Sequence, residues 1–180
     1  ASLERRTTMK AYGAELILTP DEAGMEGARD RAEAMEAAGE GIVLDQFGNP
    51  DNPLAHYRQT GPEILRDTGG AVTHFIASMG TTGTAMGVSR YFREHQPEVV
   101  IAGVQPAEGA QIPGIRRWPK EYLPSIFNPE ALDRIIEVTR EEADAMALRL
   151  ARREGILCGI SSGGNVAAAL KLASEVEDAV

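Results

Sequence analysis

The chain has 180 residues and a mass of 19.3 kDa, enough for one ordinary domain or one and a fraction, and at 43% hydrophobic and 25% charged residues it can bury a core and is not wholly disordered. A net charge of −9 and a pI near 4.9 exclude a nucleic-acid or anionic-membrane surface as the main partner, while local basic pairs remain available to small anions. The single cysteine, Cys158, allows neither an internal disulfide nor a cysteine-built zinc site, which suits a reducing, cytoplasmic setting; no apolar run reaches the length of a membrane span, and the charged opening Ser2-Leu3-Glu4-Arg5-Arg6 has no secretory apolar stretch behind it.

In chain order, residues 2–12 read as a helix that Ser2 caps and Gly13 ends. Residues 15–18 form a short apolar run between Gly13 and Pro20, the pattern of a buried strand, and residues 21–38 form an Ala- and Glu-rich helix closed by Gly39. Residues 42–44 read as another strand. The turn-rich segment Asp45 to Pro53 then marks the best domain crossing, dividing the chain into 1–44 and 45–180. Residues 56–68 suit a helix with an irregularity at Gly61-Pro62. Strand 72–77, helix 84–94 and strand 99–104 make one βαβ unit. Residues 105–128 carry Pro106, Pro113, Pro119 and Pro124 without a clear period, a long excursion of the kind that is often functional. Residues 134–138 return to strand, and Thr139-Arg140-Glu141-Glu142 is a capping box for a helix running to Arg153. Residues 156–160 read as a last strand, leading through Ser161-Ser162-Gly163-Gly164 into helix 166–177.

Two turns carry chemistry. Gly80-Thr81-Thr82-Gly83-Thr84 lies between a strand and a helix. Its glycines allow close approach of backbone N–H groups, its threonines add hydroxyl donors, and the helix start adds unpaired amides and a positive dipole end. No lysine completes a nucleotide P-loop and the G-x-G-x-x-G spacing is absent, so the turn suits a phosphate monoester better than a triphosphate or dinucleotide. A tight turn using small residues for geometry alone would have the same sequence. The second, Gly159-Ile160-Ser161-Ser162-Gly163-Gly164, reads equally as a helix cap with glycines for the turn. Its Gly159-x-Ser161-x-Gly163 spacing also matches a hydrolase nucleophile elbow, but His56, His74 and His95 all precede Ser161, the reverse of that family's order.

At these two turns the chain resembles the cysteine synthases, pyridoxal-phosphate enzymes of fold-type II. The similarity extends through Leu3-Glu4-Arg5-Arg6, Tyr12 to Glu15, Gly24 to Gly27, Asp45-Gln46-Phe47, Asn49 to Pro53 and Thr60 to Glu63. Residues 112–119 and 121–124 are more similar to the B-type isozyme than to the A-type. The resemblance implies an α/β, three-layer fold of the tryptophan synthase β-like class with an open, twisted, mostly parallel sheet, here truncated. It also implies that 1–44 is the tail of a small domain and 45–180 most of the large cofactor-binding domain. By resemblance, Gly80, Thr81, Thr82, Gly83 and Thr84 match the cup for the phosphate of pyridoxal 5′-phosphate, and Ser161 matches the hydroxyl bonded to its pyridine nitrogen. Gln46 matches a glutamine near the substrate carboxylate, and Arg116 a cation at the mouth of the site that favours an anionic sulfur donor. The implied reaction is β-replacement: O-acetyl-L-serine loses acetate through an aminoacrylate, and sulfide or thiosulfate adds to give L-cysteine or S-sulfocysteine. A homodimer is implied as well.

The lysine that links the cofactor in this family lies in an N-terminal motif with no counterpart here. Lys10, Lys120 and Lys171 stand in other contexts and read as solvated surface residues. The expectation is therefore an internal fragment of a longer enzyme, with no catalytic residue of its own and no activity alone. Three alternatives stay open: a cystathionine β-synthase relative, an O-phosphoserine-using relative for which the Arg116-Arg117 pair speaks, and a non-catalytic phosphate-binding module. Cys158 and Met79 read as packing residues, the scattered histidines give no metal site, and Trp118 either anchors the long excursion or covers the site.

Overall fold

The structure, a computed structural model, describes residues 1–180 and divides into two compact units, 1–44 and 45–180. In the first, α1 (Leu3–Ala11) is capped by Ser2, whose hydroxyl accepts from the Arg5 amide, and α2 (Gly24–Ala37) follows a 3-10 turn at Asp21–Ala23. The runs at 15–18 and 42–44 are not strands, contrary to the sequence pattern. A strand exists only when a neighbouring strand takes its backbone N–H and C=O groups, and neither segment has a ladder partner; the Val43 amide donates to the Glu36 side chain instead (2.8 Å). Most of their side chains stay in water, with Ile42 86% and Leu44 83% exposed, while Leu16 and Val43 are half-buried.

The second unit is built on three parallel strands, β1 (His74–Ser78), β2 (Val100–Pro106) and β3 (Arg134–Val138), ordered β1-β2-β3 with His74 opposite Val100 and Ala102 opposite Arg134. Parallel neighbours need a crossover, and α5 (Gly83–His95) supplies it between β1 and β2. Alternation along the strands sends Phe75 and Ile101 to one face, where they meet Val88, Tyr91 and Phe92. Ile76, Val104 and Val138 go to the other, against Ala143 of α6 (Arg140–Glu154) and Ala167 and Ala168 of α7 (Ile160–Ala173). The result is helix, sheet, helix: the three-layer α/β arrangement.

The α6 cap is as its residues dictate: the Glu142 amide donates to Thr139 Oγ1 (3.2 Å) while the Thr139 amide donates to Glu142 Oε2 (2.8 Å), and Gly155 ends the helix at φ +68°. The predicted strand at 156–160 does not form. No ladder partner lies beside it, Leu157 is 92% exposed, and Cys158 is half-buried in coil rather than packed in a strand. Instead α7 starts early, winding Ser161 to Gly164 into its first turns. The reason lies in α6: a Cβ on Gly163 would stand 2.7 Å from the Ala147 amide nitrogen, so the glycines serve close helix contact and not a turn. The helix predicted at 56–68 is longer and composite. α3 (Asp51–Ala55), a π-helical turn (His56–Thr60) and α4 (Gly61–Asp67) run together, the irregularity falling before Gly61-Pro62. Lys171 is also not simply solvated; its ammonium donates to Glu137 O and Glu142 Oε2.

Candidate functional site

The turn 80–83 joins β1 to α5 at the carboxyl end of the sheet, the usual ligand position in parallel α/β folds. Thr82 holds φ +72°, a left-handed conformation rare for a β-branched residue, and its side chain does not cap the helix. Its hydroxyl is buried and has no hydrogen-bond partner. A buried donor left unpaired costs about 1–3 kcal/mol. Strain and an orphaned hydroxyl in one residue mark a place shaped for something other than the turn itself. The first amides of a helix have no intrahelical acceptor, so the start of α5 adds further donors.

Asn52 holds this turn from below. Its side-chain amide donates to Thr81 Oγ1 (3.2 Å) and to Gln46 O (2.6 Å), and a Cβ on Gly83 would meet that amide at 2.9 Å, so only glycine admits it. From the other side, the Trp118 indole N–H donates to Gly80 O (2.7 Å) and the Arg116 amide donates to Met79 O (2.8 Å). The long excursion is thus fastened to the turn, and Trp118 is one of its anchors. Phe47 meets the Trp118 ring edge-on at 5.3 Å, and the Arg116 guanidinium lies 4.9 Å over it.

The start of α7 is placed by Ser78 and Asn165. Ser78 Oγ donates to Asn165 Oδ1 (3.0 Å) and to Ser161 O (3.4 Å), and Asn165 Nδ2 donates to Ile76 O (3.3 Å). Gly114, at φ +90°, lies against Ser161: a Cβ there would be 3.3 Å from Ser161 Oγ.

These contacts bring the first turns of α5 and α7 to one cleft of about 490 Å³, whose lining includes Thr84 from α5 and Ser161 and Ser162 from α7, with Thr60, Ser78 and Asn165. Its polar lining is hydroxyls and one amide, and no charged side chain contributes. Two helix N-termini and five hydroxyls can hold an anion without a cation, by oriented dipoles and short donors. His56 lies behind Thr84, its Nε2 3.1 Å from Thr84 Oγ1 and its Nδ1 2.9 Å from Thr60 Oγ1. Burial holds its pKa below the ordinary value, which favours the neutral ring.

Of the residues expected to hold the phosphate only Thr84 lines the cleft; Gly80, Thr81, Thr82 and Gly83 do not, and neither do Gln46 and Arg116. Gln46 is exposed and reaches the turn only through its backbone carbonyl, while Arg116 is half-buried on Trp118. Arg117, its neighbour, is engaged by Glu137 and by Pro106 O. None of the histidine hydrogen bonds goes to Ser161, so the hydrolase arrangement is not built: His74 bonds Thr73, and His95 bonds Tyr91 O and stacks on the Tyr91 ring. No group of three metal-ligating side chains occurs, and no helix is long and apolar enough to cross a membrane.

Sequence reasoning missed Asn52, His56, Thr60, Ser78 and Asn165. The one signal within its reach was the four-residue spacing of His56 and Thr60, which puts both on one side of a helical turn.

Comparison with known proteins is consistent throughout the chain. The family described as pyridoxal-phosphate dependent enzyme matches residues 1–180. The chain is 59% identical to cysteine synthase B of Pseudomonas aeruginosa over 180 residues, covering all of this chain and 60% of that protein. Among solved structures, an O-ureido-L-serine synthase superposes with a TM-score of 0.89 at 32% identity, over 99% of this chain and 59% of the other. Cysteine synthase from Entamoeba histolytica superposes with a TM-score of 0.84 at 39% identity, over 96% and 53%. The chain thus spans about 60% of the length of the curated relative it matches.

Proposed function

Since the chain belongs to the pyridoxal-phosphate dependent enzyme family, we propose that it is the greater part of a cysteine synthase of the B type. The reaction is β-replacement on O-acetyl-L-serine by sulfide or thiosulfate, giving L-cysteine or S-sulfocysteine. The observation that carries this reading is the cleft shared by Thr84 and Ser161, whose polar lining is hydroxyls and one amide beside apolar side chains, with no charge.

The residues present fit the cofactor. A phosphate ester offers acceptors only; the Thr82 hydroxyl is a buried donor lacking an acceptor, and the first amides of α5 lack intrahelical acceptors, that of Gly83 resting at 3.3 Å on Thr81 Oγ1. Gly80, Thr81, Thr82, Gly83 and Thr84 would hold the phosphate, and Ser161 the pyridine nitrogen. When bound, pyridoxal 5′-phosphate supplies an electron sink conjugated to the amino acid's α-carbon, which permits loss of a β-substituent. Ser161 would offer the ring nitrogen a neutral hydroxyl and not a carboxylate, so it would not hold that nitrogen protonated, a setting that would favour loss of a β-substituent over transamination or racemisation.

Gln46 would reach the substrate carboxylate and Arg116 the anionic sulfur donor, both entering from the side where Phe47 and Trp118 pack. Arg117 is held by Glu137 and Pro106 O, which speaks against an arginine pair gripping a phosphate ester and so supports the acetyl ester. None of Lys10, Lys120 and Lys171 lines the cleft. We place the linking lysine outside these residues, with residues 1–44 contributing to the smaller domain, 45–180 to the larger, and the whole working as a homodimer in the cytoplasm.

The test is the complete gene product, with added pyridoxal 5′-phosphate, O-acetyl-L-serine and sulfide or thiosulfate, its products read by mass spectrometry. Cysteine or S-sulfocysteine formation, together with visible absorbance that shifts on adding O-acetylserine, is the expected result. A protein that binds no pyridoxal 5′-phosphate, or that turns over only another acceptor, refutes the reading. The 180 residues alone should show no turnover.

A further inference from the structure

His56 has no role in the reaction proposed above, yet it stands directly behind the wall of the cleft, bonded to two of its lining residues. It opens the π-helical turn His56–Thr60, and such turns are rare and recur at functional sites. Gly87 of α5 makes room for it: a Cβ at 87 would stand 2.7 Å from His56 Cβ and 2.9 Å from the Tyr57 amide nitrogen. The widened turn and the missing side chain together bring both ring nitrogens to threonines of the lining, Nδ1 to Thr60 Oγ1 at 2.9 Å and Nε2 to Thr84 Oγ1 at 3.1 Å.

A neutral imidazole has one N–H and one bare nitrogen, so the three groups can be wired in only two ways. With the proton on Nε2, His56 donates to Thr84 and accepts from Thr60, and the Thr84 hydroxyl keeps its own proton to give away. With the proton on Nδ1, Thr84 spends its proton on the ring and turns only lone pairs outward. A phosphate dianion accepts and never donates. It is attracted by the first arrangement and repelled by the second.

We propose that His56 is a positioning residue whose Nε2–H tautomer, held by Thr60, directs the Thr84 hydroxyl proton toward a phosphate ester in the cleft. The inference rests on the assignment of Thr84 to the phosphate cup. It makes Thr60, which touches no ligand in this scheme, the residue that sets the polarity of the chain of bonds, because its hydroxyl supplies the donor that Nδ1 needs.

The experiment uses the complete gene product, labelled with ¹⁵N at histidine and saturated with pyridoxal 5′-phosphate. Long-range ¹H–¹⁵N spectra report the tautomer, and His56→Gln identifies the His56 signals among the three histidines. The expected pattern is Nε2–H. His56→Leu removes the donor and weakens pyridoxal 5′-phosphate binding about tenfold, whereas His56→Gln, whose amide can donate the same way, stays within about threefold. Pyridoxal lacking the phosphate binds all three forms alike. An Nδ1–H pattern, an undiminished affinity in His56→Leu, or a loss as large for pyridoxal as for the phosphate ester overturns the relay and leaves the cofactor assignment standing. A parent protein with no preference for pyridoxal 5′-phosphate over pyridoxal overturns the cup assignment and the relay with it. Should His56→Leu fail to fold, the tautomer pattern and His56→Gln decide the matter.

Discussion

Gly87→Ala tests whether the close approach of α5 to the 51–60 segment is as tight as it must be. The added Cβ would stand 2.7 Å from His56 Cβ and still closer to the Pro53 carbonyl oxygen. Carbon atoms rest about 3.5–4.0 Å apart, so the two helices must separate locally by about 1 Å. The obstacle is backbone on both sides, so no rotamer change relieves it. Overpacking of this kind costs about 1–3 kcal/mol, and the absence of a side-chain escape argues for the upper figure. Alanine returns about 1 kcal/mol through its helix propensity, leaving a net loss of about 2 kcal/mol. For a chain of this size that lowers the midpoint of thermal unfolding by about 4–8 °C. Urea and thermal unfolding followed by far-UV circular dichroism measure it, with Gly41→Ala as control. A Cβ at Gly41 meets nothing within 4 Å, so stability there should hold within about 0.5 kcal/mol. A Gly87→Ala protein as stable as the parent would refute the packing argument and the account of how His56 is seated.

Thr82→Val replaces the orphaned hydroxyl with a methyl of similar shape; the ligand-free protein should be equally stable or up to about 1 kcal/mol more so, while pyridoxal 5′-phosphate binding weakens. Melting curves with and without the cofactor separate the two effects, and a loss of stability without ligand would sink the idea. Trp118→Phe keeps the packing on Phe47 but leaves Gly80 O without its indole donor, for a loss of about 1 kcal/mol by urea titration. Glu142 is pushed up by burial but pulled down further by the Lys171 ammonium and the Thr139 amide, so its carboxyl titrates below its ordinary value. A depressed folded-state pKa means the stabilisation is whole above the unfolded value of about 4.3 and is lost as pH falls through the folded one. Stability measured from pH 7 to 3 should therefore drop on the acid side, and less steeply in Glu142→Gln; equal slopes would contradict the assignment.

What the order of residues determined by itself was local. Thr139 and Glu142 cap α6 because both halves of the box lie within one turn of chain, and the βαβ unit follows from apolar runs on either side of a helical period. The 80–83 segment was readable as a strand-to-helix turn for the same reason, with Thr81 Oγ1 accepting from the Gly83 amide two residues on. The tertiary structure alone decided the rest, because those outcomes depend on groups that are distant in sequence. Asn52 meets Thr81 and His56 meets Thr84 across 29 and 28 residues, and no pattern within either segment announces the other. The apolar runs at 15–18, 42–44 and 156–160 have the composition of strands but no neighbouring strand to pair with, and composition cannot supply one. Gly163 and Gly164 read as turn residues, yet the approach of α6 makes them helix-contact residues, since a missing Cβ serves either purpose and only the neighbour selects which.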